Sequence, residues 1–259
     1  MSLDLFLGIY AGLLGLVVGS YLNVVIHRLP RHQPTVVERS RCPHCGKAIR
    51  PWHNIPLIGY LILGGRCYDC RKTIHWRYPV VEGLVGILFF LCYRNWHASL
   101  AALAAAALCA LLVALATIDL EHFMLPDRLT LPGIVLGLLL QPWLPWTSLP
   151  AAFAGVMLGA GLVLLAGGTW RILYGRWGMG FGDAKLLAMI GAFLGWQGVL
   201  VALALGSLLG ALTAAVGALA GRITWGSRLP FGAFLAAGAL AALFGATTWL
   251  DAYLGLATP

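Results

Sequence analysis

The sequence predicts an all-α polytopic membrane protein with about eight transmembrane helices and one small polar domain between the first two. Of its 259 residues, 60% are hydrophobic and only 10% are charged, whereas soluble domains carry about 25% charged residues. Apolar segments recur along most of the chain, and one long polar stretch contains two CxxC pairs. This composition excludes a disordered chain and argues against a soluble enzyme.

Eight apolar segments form the predicted membrane part. A membrane helix needs about 20 mostly apolar residues because the hydrocarbon core is about 30 Å thick. The segments cover approximately residues 3–26, 79–93, 98–118, 129–144, 150–168, 184–196, 198–220 and 231–250. The predicted domains are therefore a first transmembrane helix (1–26), a cytoplasmic domain (27–78) and a seven-helix membrane domain (79–259).

The positive charges predict the orientation of these helices, because cytoplasmic loops retain Lys and Arg. Threading eight spans through the membrane places every cation except Arg94 on the side of the polar stretch, which is 16 of 17. We therefore expect a cytoplasmic 27–78 domain, with the N-terminus and the C-terminus both periplasmic. The net charge of +8 then favours anionic lipid headgroups rather than nucleic acid as the partner.

The polar domain contains Cys42-Pro43-His44-Cys45 and, after 21 intervening residues, Cys67-Tyr68-Asp69-Cys70. Two such knuckles can supply four thiolates to one tetrahedral structural zinc ion, so we predict a zinc-ribbon-like domain with Cys42, Cys45, Cys67 and Cys70 as ligands. Gly46, Gly64 and Gly65 permit the tight turns that such a ribbon needs.

Other interpretations of these cysteines stay open. Iron also accepts four thiolates, and the knuckles could instead hold two disulfides or unrelated thiols. A reducing cytoplasmic loop argues against disulfides. Cys92 and Cys109 lie inside apolar segments and are predicted to be small core residues.

Two acidic residues lie at the ends of predicted membrane helices. Asp119 ends the third segment and Asp183 begins the sixth, so both are expected at the cytoplasmic face. An ionisable group beside a membrane span is costly and is a functional candidate. Two neighbouring carboxyl groups tend to share one proton, so one can act as a base toward water and the other as an acid toward a carbonyl.

The spacing alone leaves alternatives to this pair. Asp183 could cap the sixth helix and Asp119 could simply mark a helix end. Glu121 and Asp127 lie nearby, and either could be the partner carboxylate. The glycines of GMGFGD (178–183) would let the backbone approach a substrate closely.

Taken together, these motifs resemble the bacterial type IV prepilin peptidases, a family of bifunctional leader peptidases and N-methyltransferases of the GxGD membrane aspartic protease type. The resemblance covers nearly the whole chain. It rests on GSYLNVVIHRLP (19–30), ERSRCPHC (38–45), NIPLIGYLILGGRCYDC (54–70), RYPVVE (77–82), TIDLEHFMLPDRLTLP (117–132), GMGFGDAKLLAMIGAFLGW (178–196) and PFGAFL (230–235). One departure is Ala233, where the family more often has proline; we expect no effect on catalysis.

The resemblance implies that Asp119 and Asp183 are the catalytic pair. It implies cleavage of prepilin and pseudopilin leader peptides at the cytoplasmic face of the bacterial inner membrane. It also implies transfer of a methyl group from S-adenosylmethionine to the new N-terminus. The sequence contains no glycine-rich Rossmann fingerprint, so the residues that bind the methyl donor are not assigned.

Two rival functions belong to other classes. Paired membrane aspartates could carry protons in a transporter, although a relay favours acids at mid-membrane depth. A structural adaptor could use the zinc ribbon for docking, although the aspartate pair speaks against it. Glu38, Asp69 and Glu82 are weak candidates for recognising a basic leader peptide.

Overall fold

The computed structural model describes residues 3–35, 40–175, 180–222, 227 and 229–246. Its α-helices are α1 (Leu3–Arg28), α2 (Ile58–Ile62), α3 (Arg77–Trp96), α4 (Leu100–His122), α5 (Asp127–Leu140), α6 (Leu149–Tyr174), α7 (Phe181–Leu219) and α8 (Phe231–Ala241). Short 3-10 turns cover Leu29–Arg31, Pro51–Asn54 and Gln141–Trp143, and a π-helical turn, Ala242–Ala246, follows α8. Within the described ranges no β-strand forms, so the all-α prediction is confirmed.

Four of these helices are long and apolar enough to cross a membrane: α1 with the turn that follows it, α4, α6 and α7. Helix α7 contains the predicted sixth and seventh segments, which are separated by a non-helical backbone at Gly195 (φ 70°, ψ −174°). Helices α3, α5 and α8 correspond to the other predicted segments, and residues 247–250 of the last segment lie outside the described residues. A multi-pass protein is therefore confirmed, and the number eight stays a prediction.

The chain divides into two compact units, Met1–Ala114 and Leu115–Pro259. In the first unit, α1 packs along α3, and glycines make the close approach possible. A Cβ added at Gly15 would lie 2.7 Å from the Cβ of Phe89, and one at Gly19 would lie 2.8 Å from the Cα of Glu82. The boundaries 1–26, 27–78 and 79–259 stay predictions.

Two cysteines of the first unit lie in its interior, as the sequence predicts for small core residues. Cys92 on α3 and Cys109 on α4 are both buried, and their sulfur atoms are 3.9 Å apart. This separation is a van der Waals contact between thiols rather than a bond.

In the second unit, the two parts of α7 have different neighbours. The part before Gly195 packs against α5 and α6, where a Cβ added at Gly159 would lie 2.6 Å from the carbonyl oxygen of Leu187. The part after Gly195 packs against α8, where a Cβ added at Gly238 would lie 2.6 Å from the carbonyl oxygen of Ala202. Small residues thus bring helix backbones together, as is typical of membrane bundles.

The break at Gly195 leaves backbone carbonyls without their helical partners, and two side chains satisfy them. Gln141 Nε2 donates to the carbonyl oxygen of Ala192 at 2.6 Å, and Trp146 Nε1 donates to that of Phe193 at 3.0 Å. Because a helix end leaves its last carbonyls unpaired, these two bonds stabilise the interruption within the apolar bundle.

Substitution of Gly191 by alanine is expected to destabilise the second unit. A Cβ at this position would overlap the backbone of Gly155 on α6, and backbone cannot move aside as a flexible side chain can. Overpacking of this kind costs about 1–3 kcal/mol, which thermal unfolding of the purified protein in detergent will measure. Gly161→Ala on α6 is the matched control, because its added Cβ meets no atom within 4 Å. Equal melting temperatures for the two variants would contradict the proposed close packing.

Candidate functional site

The four knuckle cysteines form one cluster in the first unit. The sulfur atoms of Cys42, Cys45, Cys67 and Cys70 all lie within 4.8 Å of one another, and those of Cys42 and Cys70 are 3.8 Å apart. A tetrahedron with metal–sulfur bonds of about 2.3 Å has edges of about 3.8 Å. The cluster therefore has the size of a four-thiolate metal site.

The two knuckles have the same backbone fold. In each, the first cysteine N–H donates to the carbonyl oxygen five residues later, as Cys42 does to Lys47 and Cys67 to Lys72. The residue after the second cysteine is left-handed in both, with φ 72° at Gly46 and φ 59° at Arg71. The sequence indicates the first of these turns through its glycine, whereas nothing in the sequence marks the second.

The electrostatics of the thiols differ within the cluster. Burial raises the pKa of Cys42, but hydrogen bonds from the backbone N–H groups of Cys45 and His44 and from two thiols outweigh it and lower the pKa to about 7. A backbone hydrogen bond from Lys72 lowers the pKa of Cys70, but desolvation and the neighbouring thiols together raise it to about 11. Four thiolates at this distance need a cation among them.

The second cluster, in the second unit, is centred on Asp119 in the last turn and a half of α4. Asp119 is 6% exposed. Its Oδ2 accepts the backbone N–H of Ala233 at 3.1 Å, and its carboxylate also accepts the N–H of Gly232. These are the second and third residues of α8, whose N-cap is Pro230. The N–H of Ala233 also donates to the carbonyl oxygen of Pro230 at 3.2 Å. Asp119 thus accepts from N–H groups at the start of a distant helix, where its negative charge is also favoured by the helix dipole.

Asp183 lies in the first turn of α7. It is the third residue of that helix, and its carboxylate accepts the N–H of Gly180, the N-cap residue. This is the acidic half of a capping box. The N-cap residue of α7 is Gly180, so Asp183 is not itself the N-cap that the sequence allowed as an alternative. Asp183 and Asp119 are close enough to interact electrostatically. The structure therefore brings together the two aspartates that the sequence singles out.

Leu125 and two glycines define the space around this pair. A Cβ added at Gly182 would lie 3.0 Å from the Cβ of Leu125, and one at Gly232 would lie 3.0 Å from both Leu125 Cδ1 and Asp119 Oδ2. A Cβ at position 232 would therefore crowd the Asp119 carboxylate and force it to shift. Gly178, which the sequence analysis also named, lies outside the described residues.

The other acidic candidates have different surroundings. Asp127 Oδ1 pairs with Lys185 Nζ at 2.6 Å on an exposed surface, and Glu121 is exposed at the end of α4. Asp69 pairs with Lys47 at 3.0 Å. Glu82 is buried and accepts the N–H of Leu57 at 2.8 Å. Glu38 lies outside the described residues.

A pair of neighbouring carboxyl groups, each held by N–H groups at the start of a helix, can perform general acid–base chemistry on a water molecule. Ionising one carboxyl group makes ionisation of the other harder, so the pair tends to share one proton. The hydrogen bonds from Gly180, Gly232 and Ala233 fix the position of the two groups. The contribution of Gly232 and Ala233 could not be inferred from the sequence, since more than 110 residues separate them from Asp119.

Two protein-family models match this chain. Residues 13–96 match the bacterial peptidase A24 N-terminal domain, and residues 106–215 match the type IV leader peptidase family. The first match contains all four knuckle cysteines, and the second contains Asp119 and Asp183.

Curated relatives match over nearly the full chain. The prepilin leader peptidase/N-methyltransferase of Burkholderia pseudomallei strain 1026b is 40% identical over 91% of this chain and 84% of its own length. The protein of the same name from Pseudomonas aeruginosa is 39% identical, with coverage of 90% and 89%. That from Aeromonas hydrophila is 40% identical, with the same coverage. No solved structure gives a significant match.

Proposed function

The chain belongs to the type IV leader peptidase family, and we propose that it cleaves the leader peptides of type IV prepilins and pseudopilins with Asp119 and Asp183 as its catalytic pair. The observation that carries this proposal is the convergence of the two aspartates at the N-termini of α7 and α8. The membership rests on relatives about 40% identical over most of both chains.

In the proposed mechanism, the carboxylate of one aspartate accepts a proton from water while the carboxyl group of the other donates a proton to the scissile carbonyl oxygen. The water oxygen forms the new bond to the carbonyl carbon, which gives a gem-diol. The C–N bond then breaks as the first aspartate, now protonated, gives its proton to the leaving nitrogen, while the second aspartate takes a proton from a hydroxyl group of the gem-diol. The amine of the mature pilin is released and the pair regains its starting state. No covalent enzyme intermediate is required. The N–H groups of Gly180, Gly232 and Ala233 hold the pair in place during these proton transfers.

We also propose that the same chain methylates the new N-terminal amine with S-adenosylmethionine as the methyl donor. The printed names of the relatives include N-methyltransferase. Transfer of labelled methyl from S-adenosylmethionine to a pre-cleaved pilin is the test of this second activity.

The cysteine cluster is proposed to hold one structural Zn²⁺, with iron as the alternative ion. The cluster's dimensions and its four sulfur donors fit a closed tetrahedral site, in which the ion supplies folding energy rather than chemistry. Cleavage is assigned to the second unit alone.

The protein is a multi-pass protein of the inner membrane, and we propose that both termini are periplasmic. The distribution of the cations supports this orientation. Alkaline phosphatase fused to either terminus is therefore expected to be active in cells, since that enzyme needs periplasmic export. Activity of a cytoplasmic reporter at the N-terminus would reverse the orientation and move the 27–78 domain to the periplasm.

The experiment that tests the proposed function is cleavage of a purified prepilin by the purified protein, with both products identified by mass spectrometry. The expected result is one cut that separates the leader from the mature N-terminus. A prepilin that stays intact would favour the two rivals: proton transport by the aspartates, or adaptor binding through the predicted 27–78 domain, which we call the cysteine domain. Proton flux in proteoliposomes then separates those two.

Gly232→Ala is expected to lower cleavage about 10- to 100-fold without preventing membrane insertion. The added Cβ would lie 3.0 Å from Asp119 Oδ2 and from Leu125 Cδ1, so the carboxylate must shift, and small displacements at a reacting group are costly. Gly168→Ala on α6 is the control, because its Cβ meets no atom within 4 Å. Wild-type cleavage rates for Gly232→Ala would show that the position of Asp119 tolerates displacement.

A further inference from the structure

The cysteine domain exposes a set of large apolar side chains that a water-facing domain would bury. Leu61 is 75% exposed and Ile62 72% exposed on the short helix α2, and Ile55 and Ile58 are also exposed. We call residues 55–62 the apolar segment. Trp52 precedes it and is 59% exposed.

The apolar segment is fixed to the membrane part of the first unit. The backbone N–H of Leu57 donates to Glu82 on α3 at 2.8 Å. Glu82 in turn lies beside Gly19 of α1, where a Cβ would lie 2.8 Å from the Cα of Glu82. Leu57 also lines the apolar groove between α1 and α3 together with Leu16, Gly83 and Gly86.

These contacts give the depth of the segment. Helix α1 is one of the helices long and apolar enough to span the membrane, and Gly19 lies seven residues before the predicted end of that span at residue 26. At 1.5 Å per residue, Gly19 is about 10 Å inside the predicted end, and Leu57 is connected to this level through Glu82. Amphipathic elements at membrane surfaces lie about 5–10 Å within the boundary between headgroups and acyl chains.

Backbone N–H groups of the segment are hydrogen-bonded within the protein, as insertion into lipid demands. Polar backbone groups in lipid must be paired within the protein. The N–H groups of Gly59 and Leu61 donate to the carbonyls of Ile55 and Leu57, and that of Leu63 to Gly59. The N–H of Leu57, which precedes the helix, is satisfied by the buried Glu82 carboxyl group.

The charges around the segment complement an anionic lipid surface. Exposed cations lie on both sides of it in the sequence of the same domain, among them Arg50, Arg66, Arg71 and Lys72. Trp76, which precedes α3, is 66% exposed; tryptophan is enriched at the membrane–water interface. We propose that the apolar segment inserts into the cytoplasmic leaflet and anchors the cysteine domain on anionic lipid, with Leu61 and Ile62 among the acyl chains.

The test is the depth of position 61 in nanodiscs that contain phosphatidylglycerol. A fluorescent non-canonical amino acid replaces Leu61, so the cysteines stay unlabelled, and nitroxides are placed on lipid headgroups or on acyl carbon 5. We expect the acyl-chain nitroxide to quench position 61 at least threefold more strongly than position 44. Iodide in water should show the opposite order. Position 44 is the exposed His44 in the first knuckle, and metal content checks the fold of both labelled proteins.

Quenching of position 61 by iodide, without quenching by the acyl-chain nitroxide, would overturn the proposal. If a prepilin then protected position 61 from iodide, the segment would be a docking surface for the substrate instead of lipid. Because the readout is fluorescence depth rather than cleavage, failure of this inference leaves the catalytic proposal untouched, and the reverse also holds.

Discussion

Asp119→Asn and Asp183→Asn are each expected to lower prepilin cleavage by at least 1,000-fold, which corresponds to about 4 kcal/mol of transition-state stabilisation. Asparagine keeps the size of aspartate but can neither accept a water proton as a carboxylate nor donate an acid proton. Its amide oxygen can still accept N–H groups, such as those of Gly232 and Ala233 for Asp119. Initial rates on purified prepilin, with membrane insertion and melting temperature measured in parallel, give the result.

Asp127→Asn is the matched control for these variants. Asp127 forms an exposed ion pair with Lys185, and exposed pairs contribute about 0–1 kcal/mol, so cleavage should remain within a few-fold of wild type. Methyl transfer to a pre-cleaved pilin is expected to survive in Asp183→Asn. A folded Asp119→Asn protein that still cuts at the wild-type rate would remove Asp119 from the pair and make Asp127 the next candidate.

Cys67→Ser is expected to lose the metal and to unfold the cysteine domain. The wild-type protein should contain about one zinc per chain, and structural zinc sites contribute about 10–16 kcal/mol of apparent binding free energy to folding. Metal analysis of the purified proteins, together with limited proteolysis of residues 27–78, measures both effects.

Cys92→Ala is the control for the loss of a cysteine as such, because Cys92 is buried on α3 beside Cys109 and outside the cluster. It should keep the full metal content. Full metal occupancy in Cys67→Ser would contradict the proposed ligand set, and iron in place of zinc would change only the identity of the ion.

The sequence predicts those parts of this protein that depend on composition and local spacing. Cysteines three residues apart within each knuckle converge in the structure, since each short turn fixes its own pair. The boundary between the predicted sixth and seventh apolar segments, at residue 197, indicates the helix interruption that the structure has at Gly195. The side chains that satisfy it, Gln141 and Trp146, were not predicted because each lies about 50 residues away in sequence.

The same limit applies to the aspartates. Because both lie at the ends of predicted membrane helices, the sequence predicts them at the same face of the membrane. The N–H groups of Gly232 and Ala233 that hold Asp119 were not predicted, because they come from a helix more than 110 residues away. The family resemblance includes residues 230–235, but it does not say that their backbone contacts Asp119. Ala233, the departure from proline, supplies an N–H donor to Asp119 that proline lacks; the expectation of no effect on catalysis therefore stays a prediction.

The central claim, that Asp119 and Asp183 act as one unit on the attacking water, is tested most directly by the cleavage rate of the double variant Asp119→Asn/Asp183→Asn. Residues that act as a unit are non-additive. The account predicts that the double variant is no more than a few-fold slower than either single variant. Losses that multiply, so that the double variant is slower by the product of the two single effects, would show two independent contributions and contradict the account.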